Sequence, residues 1–89
     1  MADYLISDHA REQMQRRQIP QEIVDNVVSL PGQVIDVHPG REVRQSLVAM
    51  GKSSRKFLIR IIVDTDRDTH EIVTVYRTSK ISKYWRDDL

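Results

Sequence analysis

No cysteine occurs among the 89 residues. This excludes disulfide staples, a thiol nucleophile and zinc sites built on thiolates. Glycine is scarce, with only Gly32, Gly40 and Gly51, so no glycine-rich loop stands ready to cradle a phosphate. Apolar runs are short. Runs such as Ile61-Ile62-Val63 fall far below the roughly 20 residues that span a bilayer, so no membrane partner is expected. Met1 to Arg11 lacks a basic stretch followed by an apolar core, so no secretory signal is expected either. There is no internal repeat and no low-complexity tract. Together these absences favour a cytoplasmic protein without a cofactor.

What is present suits one small domain over residues 1–89. Hydrophobic residues make up 39% and charged residues 30% of the chain, an ordinary balance for a globular fold. A chain this short buries a small core, and its stability is expected to be marginal. The net charge of +1 hides an asymmetry. Residues 1–40 carry three basic and six acidic side chains, whereas residues 41–89 carry eleven basic and seven acidic. Positive charge concentrates between Arg41 and Val63, where Glu42 is the only acid, and between Arg77 and Arg86, which contains none. Such a surface could attract a polyanion, or could simply be the solvated face of the domain.

A first helix is predicted from Ser7 or Asp8, both good N-cap residues, to about Arg17. A second follows Ile19, with Pro20 suited to its first turn and Pro31-Gly32 ending it. From Gln33 onward the period changes from helical to alternating. Strands are predicted at Val34–Val37, Glu42–Met50, Lys56–Asp64 and His70–Arg77. Thr78 to Trp85 forms a tail with room for a short helical turn, its Trp85 expected to pack back on the domain. The fold class is therefore α+β, with two N-terminal helices on one face of a four-stranded antiparallel sheet.

Pairing the last two strands about Arg67 sets Arg60 opposite Thr74, Leu58 opposite Tyr76 and Ile62 opposite Ile72. One face then carries Phe57, Ile59, Ile61, Val63, Val73 and Val75 and seats the helices. The other carries Arg60, Thr74 and Tyr76, with Ser46 beside Arg60. A one-residue slip would exchange the faces.

Several segments resemble a small bacterial family. They are Ser7-Asp8-His9-Ala10-Arg11, Arg16-Arg17-Gln18-Ile19, the strand Phe57 to Val63, and Val73-Thr74-Val75-Tyr76-Arg77. That family shows a His-Ala-Arg helix start, an Arg-Gly-Ile junction, a central apolar strand and a terminal Thr-Val-Tyr-Arg strand. It is known mainly as a domain of unknown function and is commonly placed with RelE-like toxins in the barnase, EndoU, colicin and RelE nuclease grouping. The resemblance covers nearly the whole chain; Gln18 stands where the family usually has glycine. It implies a RelE-like sheet and a metal-independent endoribonuclease, often the toxin of a toxin–antitoxin pair.

His9 sits near the positive end of a helix dipole, which disfavours the imidazolium and suits a general base. Such a base could take the 2′-hydroxyl proton of RNA, so that the oxygen attacks the adjacent phosphate. His9 could equally pack against its own helix. Arg60, a charge inside an apolar strand, must either pair with an acid or emerge on an open face. There it could hold a phosphate and stabilise the pentavalent transition state. Tyr76 could stack a base or act as an acid, or be an edge-of-core aromatic. Thr78 could bond a phosphate oxygen. Lys80 and Lys83 could bind the backbone as point charges, and Arg17 could bridge to a carboxylate or reach the same face. Arg77, Lys80, Lys83 and Arg86 would make a basic ridge if the tail were helical.

Asp64, Asp66 and Asp68 alternate as in a calcium loop. The sixth position is Thr69 rather than glycine and the twelfth is Val75 rather than glutamate, so no metal site is expected. The expected catalytic set is His9, Arg60 and Tyr76, with Arg17, Thr78, Lys80 and Lys83 binding RNA or its phosphates. The expected partners are RNA, free or on the ribosome, and a cognate antitoxin protein. The rival reading is a non-catalytic RNA- or protein-binding module.

Overall fold

The computed structural model describes residues 4–89, so the first three residues of the segment read above for a secretory signal lie outside it. The elements in chain order are β1 (Tyr4–Ile6), α1 (Asp8–Arg16), α2 (Gln21–Ser29), β2 (Gln33–His38), β3 (Arg41–Met50), β4 (Arg55–Asp64), β5 (His70–Thr78) and α3 (Ile81–Tyr84). The strands form one sheet in the order β1-β5-β4-β3-β2.

This corrects the expected four-stranded antiparallel sheet carrying two helices. The sheet has five strands and is mixed, because β1 runs parallel to β5, pairing Tyr4 with His70 and Ile6 with Ile72. A third helix follows β5. A three-residue strand is too short to leave a periodic signature, and its partner lies more than sixty residues away.

Local chemistry explains the helices. Ser7 caps α1, its hydroxyl oxygen accepting from the Ala10 N–H at 3.1 Å. The helix ends in a Schellman motif. Ile19 N–H donates to the Met14 carbonyl at 2.8 Å and Gln18 N–H to the Gln15 carbonyl at 3.2 Å. Gln18 holds the left-handed conformation at φ 53°, which accounts for a preference for glycine there. Pro20 stands one place earlier than expected, as the cap of α2 rather than in its first turn.

Ala10, Met14, Ile19, Val24, Val27 and Val28 pack from the helical layer onto Ile59, Ile61, Val63, Ile72 and Val75. The expected seating of the helices on Ile59, Ile61 and Val63 is what the fold shows. The strand registers differ from those expected. In β3 and β4, Gln45 faces Arg60 and Ser46 faces Ile59, one residue from the expected pairing. In β5, Tyr76 faces Arg60 and Ile62 faces Thr74, but Val63 faces Ile72, so Val73 is the extra residue of a bulge. The bulge turns Ile72 onto the helical side, where Val73 was expected.

The edge of β5 beyond β1 is closed by side chains of α1. Gln13 Oε1 accepts from the Val75 N–H at 2.9 Å, and Arg17 donates to the Val75 carbonyl at 2.7 Å. Two side chains thus supply the bonds that a neighbouring strand would make.

Candidate functional site

Arg60 lies at the centre of β4, on the face away from α1 and α2 because its neighbours Ile59 and Ile61 point into the core. Gln45 and Tyr76 flank it on β3 and β5. Arg60 Nε donates to Gln45 Oε1 at 2.8 Å, and a terminal nitrogen donates to the Tyr76 hydroxyl oxygen at 2.6 Å.

The chain then returns over this face. The Tyr84 ring of α3 lies 4.3 Å from the guanidinium carbon, and the Tyr76 ring lies 5.7 Å from it. The two rings meet edge to face, 6.4 Å apart. Gln45 is fully buried beneath them, its amide donating to the Tyr84 carbonyl at 3.2 Å and to Gln33 Oε1 at 2.8 Å. Gln33 also accepts from Arg86 N–H at 3.1 Å and donates to the Arg86 carbonyl, pinning the tail. Trp85 comes close against Gly32, in keeping with the expected packing of the tail.

Arg60 therefore adopts neither of the two arrangements expected for it. No carboxylate pairs with it among the described residues, yet it does not stand free on an open face. It is half-buried under the Tyr84 ring, with the Gln45 amide and the Tyr76 phenol as acceptors, and no carboxylate among the described residues neutralises its positive charge. Its remaining terminal nitrogen has no acceptor among the described residues. No buried side-chain polar atom among the described residues lacks a partner, so this nitrogen reaches the surface.

The other expected site residues divide into two groups. Tyr76 bonds Arg60, Lys83 stands beside the Tyr84 ring that covers it, and Thr78 and Lys80 follow at the end of β5. Thr78 accepts from the Lys80 N–H at 3.0 Å, and Lys83 Nζ lies 5.2 Å from the centre of the Tyr84 ring. Both lysines are exposed. His9 and Arg17 are not brought to this face. His9 is exposed on the first turn of α1, which packs on the opposite side of the sheet, and Arg17 is engaged on Val75. The expected basic ridge does not form. Only Ile81 to Tyr84 is helical, Arg77 stacks on Phe57 at 5.0 Å, and Arg86 pairs with Asp88 at 3.0 Å.

The sequence reading missed Gln33, Gln45 and Tyr84. Gln45 stands between Arg44 and Ser46 in a strand that is half polar, so nothing in the pattern marked it as buried. Tyr84, in a four-residue helix, carried no signal either.

A family profile described as a domain of unknown function (DUF4258) matches residues 6–77. The chain belongs to that family. Within DUF4258 the matched segment contains His9, Arg17, Gln45, Arg60 and Tyr76, whereas Tyr84 and the lysines beside it lie beyond the match. No curated protein and no solved structure matches the chain. No helix among the described residues is long and apolar enough to cross a membrane.

Proposed function

We propose that this DUF4258 chain binds single-stranded RNA on the face bearing Arg60, Tyr76 and Tyr84. The observation that carries this reading is a guanidinium with no carboxylate partner among the described residues, one nitrogen reaching the surface, held under the Tyr84 ring and bonded to the Tyr76 hydroxyl. Aromatic rings offer stacking platforms to unpaired bases, and interleaved cations take the phosphates. Lys83, beside the Tyr84 ring, adds positive charge there, and the exposed Lys80 precedes the same helix.

A second reading is that RNA is also cleaved there, as a toxin-type endoribonuclease would do. The Arg60–Tyr76 contact favours it. Tyr76 accepts a hydrogen bond from Arg60, so its own proton remains available to the leaving 5′-oxygen while Arg60 holds the phosphate. The 2′-hydroxyl would still need a base, and His9 is on the other side of the sheet. Among the described residues no base stands beside Arg60, and this puts binding ahead of cleavage.

The test is fluorescence anisotropy with a labelled twelve-residue oligouridylate over a range of salt, followed by gel analysis of the same RNA in excess chelator. Binding that weakens steeply with salt, with intact RNA, is the expected result. Fragments ending in 2′,3′-cyclic phosphate, lost in Tyr76→Phe, would establish the cleaving reading instead. No binding at low salt would overturn both.

A further inference from the structure

The two ends of β3 differ in their neighbours. Arg41 to Gln45 lie between β2 and β4, but β2 begins at Gln33, opposite Gln45. Ser46 to Met50 therefore pair with β4 on one side only. No backbone hydrogen bond among the described residues reaches Leu47 to Met50 from the other side. Pro31-Gly32 turns the chain away at this point, and the Gly32 N–H donates to Ser46 Oγ at 2.8 Å, closing the junction.

Natural sheets guard such edges with proline, bulges, inward charges or covering side chains. The opposite edge of this sheet is guarded, by β1 and by Gln13 and Arg17 on Val75. Among the described residues none of those devices is present at Leu47 to Met50. The edge borders instead a cavity of about 260 Å³ on the helical side, lined by Ile23, Val27 and Leu30 of the α2 segment and by Val48. Leu30, the cap just past the end of α2, is 84% exposed.

We propose that this end of β3 receives an extended segment of a partner protein, apolar at alternate positions and acidic between them. The unpaired backbone dictates a strand, and the cavity takes one apolar side chain from its inward-facing set. Charge dictates the acid. Lys52, Arg55 and Lys56 crowd the adjoining β3–β4 hairpin, all exposed, and no acidic residue occurs between Glu42 and Asp64. The site lies apart from Arg60 and does not depend on the RNA-binding reading.

The probe is an acetylated, amidated heptapeptide in which leucine and valine alternate with glutamate, titrated into the full chain and followed by amide NMR. Saturable shifts and slowed amide exchange at Leu47 to Met50 are expected, with a Kd below about 1 mM. Leu30→Asp, at an exposed position, should weaken binding at least tenfold without altering the fold seen by circular dichroism. A peptide with lysine replacing glutamate should bind about tenfold more weakly. Three outcomes would overturn the proposal: no saturable shift up to about 1 mM, shifts confined to Val34–His38, or protection at Leu47 to Met50 that appears without peptide and grows with protein concentration. The last would assign the edge to a second copy of the chain.

Discussion

The ring of Tyr84 closes over the guanidinium of Arg60 at 4.3 Å, so the last helix of the chain covers the only charge in the interior of β4. If this ring is a stacking platform for a base, Tyr84→Ala should weaken binding of labelled oligouridylate by about tenfold, within the 1–3 kcal/mol typical of base–aromatic stacking. Lys80→Ala and Lys83→Ala should each reduce the salt slope by about 0.7. Anisotropy titrations over a salt series read both. An unchanged affinity in Tyr84→Ala would assign the ring a purely structural role.

Gln45 is fully buried and bonds Arg60, Tyr84 and Gln33 with its one amide. Gln45→Leu leaves Arg60 Nε and the Tyr84 carbonyl without partners, and should cost about 1–3 kcal/mol. Adding Arg60→Met removes one of the orphaned groups, so the double variant should be less destabilised than the sum of the two singles. Urea unfolding of the four proteins of this cycle measures the coupling. Strict additivity would mean the amide and the guanidinium do not act together.

The helices and the apolar strand could be read from the sequence because their signals are local. Ser7 at a cap, Pro31-Gly32 as a stop and the Ile59-Ile61-Val63 alternation each state their structure within a few residues. The registers could not be read in the same way. Counting symmetrically about a turn errs by one residue when the turn is one residue shorter, and this moved Gln45 rather than Ser46 next to Arg60. A bulge at Val73 is likewise invisible to a count that assumes strict alternation. Arg60 and Tyr76 were placed on one face because that holds under either register, but their direct pairing was not expected. The covering of Arg60 by Tyr84 depends on where the tail goes after β5, which no periodicity encodes.

Gln18 occupies a left-handed position at φ 53° with a full side chain. Glycine adopts this conformation without the steric penalty of about 1–2 kcal/mol borne by other residues, although it gives back part of the gain through a more flexible unfolded chain. Gln18→Gly should therefore stabilise the protein by about 1 kcal/mol and raise Tm by about 4–8 °C. A fall in Tm would show that the Gln18 side chain contributes more than its backbone costs.

Arg41 grips Asp64 through two hydrogen bonds of 2.6 and 3.1 Å, and this holds the Asp64 carboxyl below the usual carboxylate range despite its burial. A carboxyl depressed in the folded state binds fewer protons there than in the unfolded chain. Its contribution is complete above its unfolded pKa of about 3.9 and is lost as the pH falls through the lower folded value. Asp64→Asn should therefore lower stability at neutral pH and flatten the acid limb of the stability curve below about pH 4. Tm measured from pH 2 to pH 7 tests this, and parallel curves for the two proteins would contradict it.

Arg17 offers the sharpest separation between the expected RNA contact and the structural one. Its guanidinium donates to the Val75 carbonyl beside Gln13, which takes the Val75 N–H. Gln13→Ala leaves that buried N–H without an acceptor and should cost about 1–3 kcal/mol. Arg17→Met keeps the length of the side chain but loses the bond, so it should lower Tm while leaving oligouridylate affinity within about twofold of the parent protein. Lys80→Ala should do the reverse, because Lys80 is exposed and its side chain makes no hydrogen bond among the described residues, only its backbone being engaged. A loss of RNA affinity in Arg17→Met comparable to that in Lys80→Ala would move the RNA path around the β5 edge toward α1, where His9 stands.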